Sequence, residues 1–304
     1  PFWSLTTPKL RLIDRYKLSD ELVALRFETN HVFRQQLIGA QRGWQGGQHL
    51  NLSVLIEEVY YQRSYSLVGL AHQLLWWHDD TIDNAINSGT SKKQSPNFTV
   101  TLAIKPQGLV SDYLTKHMTL GSIVNSSVPS GTFTLPPSPI TAQIESNTKK
   151  PVPLLFIAGG SGITPMLGLI TQALENGHRV TLLYYSRTEL VPFQNQWQQL
   201  SAAYPTFTYH LVNTKEPATY LASERHLSAD SLLELGLPLV NTQIFACGSQ
   251  ALLTGLYKVA AEIPLPQNKI LRDNIIIENF SNTSPDSKFD NDQALDRKKH
   301  TKQH

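Results

Sequence analysis

Four consecutive residues, Arg63, Ser64, Tyr65 and Ser66, set a fixed cation, a large aromatic face and two small hydroxyls side by side. In an extended segment side chains alternate, so Arg63 and Tyr65 share one face while Ser64 and Ser66 share the other. A guanidinium makes bidentate hydrogen bonds to phosphate, and a tyrosine ring stacks on a flat heteroaromatic ring. The quartet therefore suits a ligand with a phosphate at one end and an electron-poor ring nearby, as a flavin nucleotide has. By itself it also describes an ordinary strand edge.

Further along, the same kind of chemistry recurs. Gly108, Leu109, Val110 and Ser111 follow an apolar run. Gly108 permits a tight turn, and Ser111 reads as the N-cap of a short helix whose free N–H groups could hold a pyrophosphate. The apolar run 154–158 leads into Gly159, Gly160, Ser161 and Gly162, then Ile163, Thr164 and Pro165. A strand, a glycine turn and a helix start form an anion site whose usual occupant is a dinucleotide pyrophosphate. Pro165 stands where the Rossmann fingerprint would have its third glycine, so a bare glycine turn is the competing reading. The next strand ends in Ser186 and Arg187. An arginine there accommodates the extra phosphate of NADP, which favours NADPH, while Glu189 nearby keeps NADH open. Cys247 stands at the C-terminal end of another strand, where open α/β sheets place ligands; a buried structural thiol is the alternative. Glu278 and Phe280 end the last strand with a carboxylate and an aromatic.

These groups need a scaffold of two kinds. Short β-like runs at 10–13, 22–27, 48–52, 63–68, 98–104 and 123–128, separated by turns, imply a small antiparallel barrel or sandwich. The run 98–104 alternates strictly and predicts a half-buried strand. From residue 153 strands alternate with helices, the pattern of a parallel sheet covered on both faces. The stretch 137–153 is rich in Pro, Ser, Thr, Asn and Lys and reads as an inter-domain connection. The expected organisation is a β plus α/β chain: an antiparallel β-barrel over 1–150, a parallel-sheet nucleotide-binding domain over 151–280, and a polar disordered tail or linker over 281–304. Residues 72–97 break the strand rhythm and read as an insertion. His78, Asp79, Asp80 and Asp83 lie there in one acidic stretch without a second histidine, which predicts a solvated turn and no metal.

Composition narrows the function classes. The chain has 304 residues, 40% hydrophobic and 16% charged, enough to bury a sizeable core. A net charge of +2 argues against general nucleic-acid binding. Neither a membrane span nor a signal peptide is expected, which points to the cytoplasm. Cys247 is the single cysteine, so no internal disulfide forms and no iron–sulfur cluster, which needs four thiolates, can be held by this chain alone. A chain beginning at Pro1 suggests trimming or an excerpt from a longer protein.

Taken in order, the quartet at 63–66, the 108–111 turn, the 131–135 stretch, the 158–165 turn, Cys247 with Gly248, and Glu278 with Phe280 resemble the ferredoxin–NADP⁺ reductase-like flavoenzymes. The resemblance covers about residues 8–280. It implies an FAD-binding barrel and an NAD(P)-binding domain, with Arg63 on the flavin phosphates, Tyr65 against the isoalloxazine and Ser66 near its N5. Residues 108–111 would cradle the FAD pyrophosphate. Gly159, Gly160, Ser161, Gly162 and Thr164 would hold the nicotinamide dinucleotide, and Ser186 and Arg187 its 2′-phosphate. Cys247 would border the nicotinamide, while Glu278 and Phe280 would close over the flavin. Hydride would pass from NADPH or NADH to the flavin, and electrons onward to an iron–sulfur protein or to a fused ferredoxin domain absent from this chain. Competing expectations are a flavin-linked reductase of oxygen, a quinone or a haem partner, and a non-catalytic flavin- or nucleotide-binding regulatory module.

Overall fold

The computed structural model describes residues 1–38, 43–73, 75, 98–136, 151–215, 226–266 and 270–280. The chain opens with two antiparallel strands, β1 (Lys9–Lys17) and β2 (Val23–Thr29), then helix α1 (His31–Ile38). A hairpin follows, of β3 (His49–Ile56) and β4 (Val59–Ser66). Strand β5 (Thr99–Ile104), the short helix α2 (Leu109–Asp112) with a π-helical turn at Tyr113–His117, and β6 (Ile123–Ser126) complete this half. The strands form one six-stranded sheet in the order β4-β3-β6-β1-β2-β5. A bridge between Leu67 and Leu102 brings the two edges together, so the sheet curls around its own core. That core is made of inward residues at alternate positions, including Leu10, Leu12, Leu25, Phe27, Leu50, Leu52, Val100 and Leu102.

The second half is a five-stranded parallel sheet in the order β11-β10-β7-β8-β9. Its strands are β7 (Leu154–Gly159), β8 (Val180–Ser186), β9 (Phe207–Asn213), β10 (Gln243–Cys247) and β11 (Ile275–Glu278). Helices α3 (Met166–Glu175), α4 (Gln194–Ala203), α5 (Ala229–Leu233) and α6 (Gln250–Glu262) connect them. The unbroken apolar run of β7 is explained by burial on both faces. Leu154, Phe156 and Ala158 pack to one side with Met166, Leu169 and Ile170 of α3. Leu155 and Ile157 pack to the other with Leu253 and Leu256 of α6. Ser249 caps α6, its hydroxyl accepting from Leu252 N at 3.3 Å.

The two halves share a core. Leu18, Leu22, Ala24, Val68, Ala103, Phe133 and Leu135 of the first join the cluster on the α3 side of the parallel sheet, and the Phe133 ring meets Phe245 edge-on at 5.8 Å. Sharing this core corrects one expectation. Strand β5 is not half-buried: Thr101 and Ala103 on its odd-numbered face are buried as well as Val100 and Leu102, Ala103 within the core shared with the parallel sheet.

One local expectation also shifts. The N-cap of α2 is Gly108 and not Ser111; the helix starts earlier, and the Ser111 hydroxyl accepts from Gln107 N at 2.9 Å and donates to the Gly108 carbonyl at 3.0 Å. Helix α4 begins at Gln194, just after Phe193 in the left-handed conformation (φ 63°). Most of the 72–97 insertion with its acidic stretch, most of the 137–153 connection and the tail beyond 280 lie outside the described residues.

Candidate active site

The site is built where the antiparallel hairpin faces the C-terminal ends of the parallel strands. Strand β4 runs along it, ending at the bridge that brings Leu67 to Leu102. All four residues of the quartet, Arg63, Ser64, Tyr65 and Ser66, line one cavity of about 620 Å³, together with Gly108, Leu109, Val110 and Ser111. From the parallel sheet come Ser161 and Thr164 of the glycine turn, and Glu278, Asn279 and Phe280 at the end of β11. The volume is that of a pocket for a substantial organic ligand.

Register explains the convergence. Tyr65 pairs with Leu50 and leans on the barrel core, whose burial raises its phenol pKa, with the Arg63 charge opposing. Ser66 pairs with His49, and both present their side chains to the cavity. The Ser66 hydroxyl is buried and has no hydrogen-bond partner, and neither has Glu278 Oε2. Burial lifts the Glu278 carboxyl from an ordinary 4.5 to about 7. An orphaned buried hydroxyl and an orphaned buried carboxyl lining one cavity are what a site looks like when its ligand supplies the missing partners.

The glycine turn is shaped by close packing against β10. A β-carbon on Gly162 would lie 2.0 Å from the Cys247 carbonyl oxygen, and one on Gly159 would lie 2.7 Å from Leu252. Gly160 has φ 54° and open space where a β-carbon would point, leaving room beside the turn. The segment Gly160–Ile163 forms a 3₁₀ turn that runs through Thr164 and Pro165 into α3.

Six expected site residues, Gly159, Gly160, Gly162, Ser186, Arg187 and Cys247, sit apart from the cavity lining. Cys247 pairs with Ala158 and Glu278 in the sheet, but its thiol is fully buried; burial and then the Glu278 charge push its pKa well above the usual value, so it stays protonated. Ser186 is buried at the end of β8, with its hydroxyl accepting from Thr188 N at 3.1 Å. Arg187 is exposed just beyond it. Conversely, His49, Lys105 and Gln107 line the cavity although nothing in the reading of the sequence singled them out. Lys105 is held by Glu21 at 3.0 Å, and burial lowers the pKa of His49. Cross-strand register with Ser66 was the signal for His49, and it becomes visible only once the hairpin turn is located.

Comparison with known proteins bears on the fold and on the second half of the chain. Residues 156–258 match the oxidoreductase NAD-binding domain. Over 91% of its length the chain superposes on all of a ferredoxin NADP⁺ reductase from Neisseria gonorrhoeae solved with bound FAD and NADP (TM-score 0.62, 15% identity). The chain has the fold of the ferredoxin–NADP⁺ reductases. The FAD/NAD-binding domain of a Vibrio cholerae nitric oxide dioxygenase aligns over 90% of this chain and 99% of that one, with TM-score 0.62 and 20% identity. In sequence, a flavohemoprotein of Schizosaccharomyces pombe is 31% identical over 146 residues, 48% of this chain and 31% of that protein. The ferredoxin reductase component of a 3-ketosteroid-9-alpha-monooxygenase from Mycobacterium tuberculosis is 30% identical over 174 residues, 56% of this chain and 43% of that protein. This chain therefore spans less than half the length of either of these two relatives. Among the described residues no helix is long and apolar enough to cross a membrane.

Proposed function

We propose that this reductase-like chain binds FAD against the β3–β4 hairpin and α2, binds NADPH or NADH at the glycine turn, and passes reducing equivalents onward to an iron–sulfur protein. The observation that carries the reading is the single cavity in which the 63–66 quartet meets Ser161, Thr164, Glu278 and Phe280. Bound FAD would supply the chemistry, accepting hydride from the nicotinamide and releasing electrons singly or as a pair. The residues bind, orient and exclude water. Arg63 would offer its guanidinium to the flavin phosphates, and the backbone N–H groups at 108–111 would hold the pyrophosphate. Tyr65 would support the ring, and Phe280, packed against the shared core, would cover it. Ser66 would offer the ring a hydroxyl that has no other partner, and Glu278, poised near neutrality, would hold a proton for it. Cys247 shapes the nicotinamide side through its backbone against Gly162.

For the nucleotide, Arg187 supplies the cation that a 2′-phosphate needs, while the Ser186 hydroxyl would have to leave Thr188 to join it. We therefore assign NADPH recognition chiefly to Arg187. The reductase-component relative supports an iron–sulfur acceptor. The flavohemoprotein relatives support a second reading, in which electrons go to a haem. Location in the cytoplasm is part of the same proposal.

Anaerobic titration of the purified yellow protein with NADPH and, separately, NADH tests the core claim. Bleaching of the flavin band by at least one nucleotide is expected, and a flavin that stays oxidised under both rejects it in favour of a non-catalytic binding module. Steady-state turnover with a two-iron ferredoxin against a haem protein then separates the two acceptors.

A further inference from the structure

We propose that Gly46, Gly69 and Gly168 form a backbone-to-backbone clamp that sets the spacing between the two walls of the cavity, making them positioning residues for hydride transfer; this rests on the redox reading above. The three come from separate segments and meet at one point. A β-carbon on Gly46 would lie 2.3 Å from the Gly168 carbonyl carbon and 2.4 Å from Leu169 N. One on Gly168 would lie 2.9 Å from Gly69 O and 3.1 Å from Gly46 Cα. Backbone therefore touches backbone, with no side chain between that could yield.

Its place in the fold gives the clamp leverage. Gly46 lies just before β3 and Gly69 just after β4, at the open end of the hairpin that carries Arg63, Tyr65 and Ser66. Gly168 lies in the first turn of α3, the helix that springs from the glycine turn. Each wall of the cavity is thus about one turn of rigid backbone from the contact. Polar locks hold both sides. Trp44 Nε1 donates to Gly69 O at 2.8 Å, and Gly46 N donates to Gln172 Oε1, one helical turn past Gly168, at 2.8 Å. At the rim His72 Nε2 lies 2.8 Å from Glu175 Oε1. Helix propensity gives no reason for glycine at 168, since alanine is the better helix former; close approach does.

Alanine at either position is a graded wedge, larger at 46 than at 168. In the FAD-loaded full chain, Gly168→Ala is expected to lower the limiting rate of flavin reduction at saturating nucleotide about tenfold, and Gly46→Ala more, because small misplacements of reacting groups are costly. FAD content and nucleotide Kd are expected to stay within twofold, which a merely structural defect would not preserve. Gln172→Met, which strips Gly46 N of its acceptor without adding bulk at the contact, is expected to slow the step about threefold. Wild-type limiting rates in folded alanine variants, or in Gln172→Met should those not fold, overturn the clamp. Calorimetry separates this from failure of the redox reading itself: even if neither nucleotide reduces the wild type, Gly168→Ala must lower Tm. A raised Tm, as an unconstrained helix would give, rejects the clamp.

Discussion

Ser66 and Glu278 are set apart from the other described residues with a buried, unpartnered side-chain atom, Arg15, Ser126 and Thr171, by lining the cavity. Each has a polar atom inside the protein with no partner, and both line the same cavity. Ser66→Ala is expected to slow flavin reduction by one to two orders of magnitude, about 1.4–3 kcal/mol of barrier, while leaving FAD bound; stopped-flow rates beside the visible spectrum check this. Glu278 makes a pH prediction with a definite sign. Burial raises its folded pKa from 4.5 to about 7, so the folded protein binds this proton more tightly than the unfolded chain. Its contribution to stability is complete below the unfolded value and is lost as pH rises through the folded one. Urea midpoints are expected to fall across that window by the equivalent of roughly 1–3 kcal/mol, and Glu278→Gln is expected to flatten the profile. A wild-type profile that rises through the window contradicts the assignment. Such buried partnerless groups cannot be read from residue types, because burial is a property of the neighbours. The types themselves, a serine after an Arg-Ser-Tyr run and a glutamate closing a β-branched strand, were enough to nominate them.

Among the elements, the β3–β4 hairpin carries the most function. Its two-residue turn is Glu57 and Glu58, with φ of 48° and 64°, between the paired Ile56 and Val59. That is the geometry of a type I′ turn, which favours Asn-Gly and which no glutamate adopts cheaply. The acidic pair hides the hairpin from a sequence reading, and so hides the register that sets His49 opposite Ser66. Replacing Glu57 and Glu58 with Asn-Gly is expected to stabilise the protein by about 1–2 kcal/mol, seen as a higher denaturant midpoint, with flavin reduction unchanged. The glycine turn was easier to find. A buried apolar strand followed by clustered glycines leaves few alternatives to a parallel strand ending in an anion site. What remained hidden was why Gly162 is glycine, since the Cys247 carbonyl it abuts lies far along the chain. The displaced N-cap of α2 has a similar origin: serine was read as a cap by its type, whereas here its hydroxyl folds back to Gln107 from inside the helix.

At the scale of the molecule, the two sheets are joined by apolar packing as well as by the cavity between them. Leu18, Leu22, Val68, Ala103 and Phe133 belong to the same buried cluster as Phe156, Met166 and Phe245. Residues 151–280 produced alone would expose that face. Such a fragment is expected to bind an apolar dye strongly and to aggregate, whereas the full chain does not; equal dye binding by both would show that the shared cluster is dispensable.

Sequence alone determined most of the strands and helices, though not α1, the change from antiparallel to parallel pairing, and the chemical character of the 63–66, 108–111 and 278–280 segments that face the cavity. Those follow from alternation, apolar runs and glycine placement, which act over a few neighbouring residues. Only the tertiary structure decided that β5 is covered on both faces, that the Cys247 thiol is sealed away from the cavity, and that His49 and Lys105 line it. Each of these depends on which distant segment lies against which. That is settled by the packing of one sheet on the other, through contacts that leave no local trace along the chain.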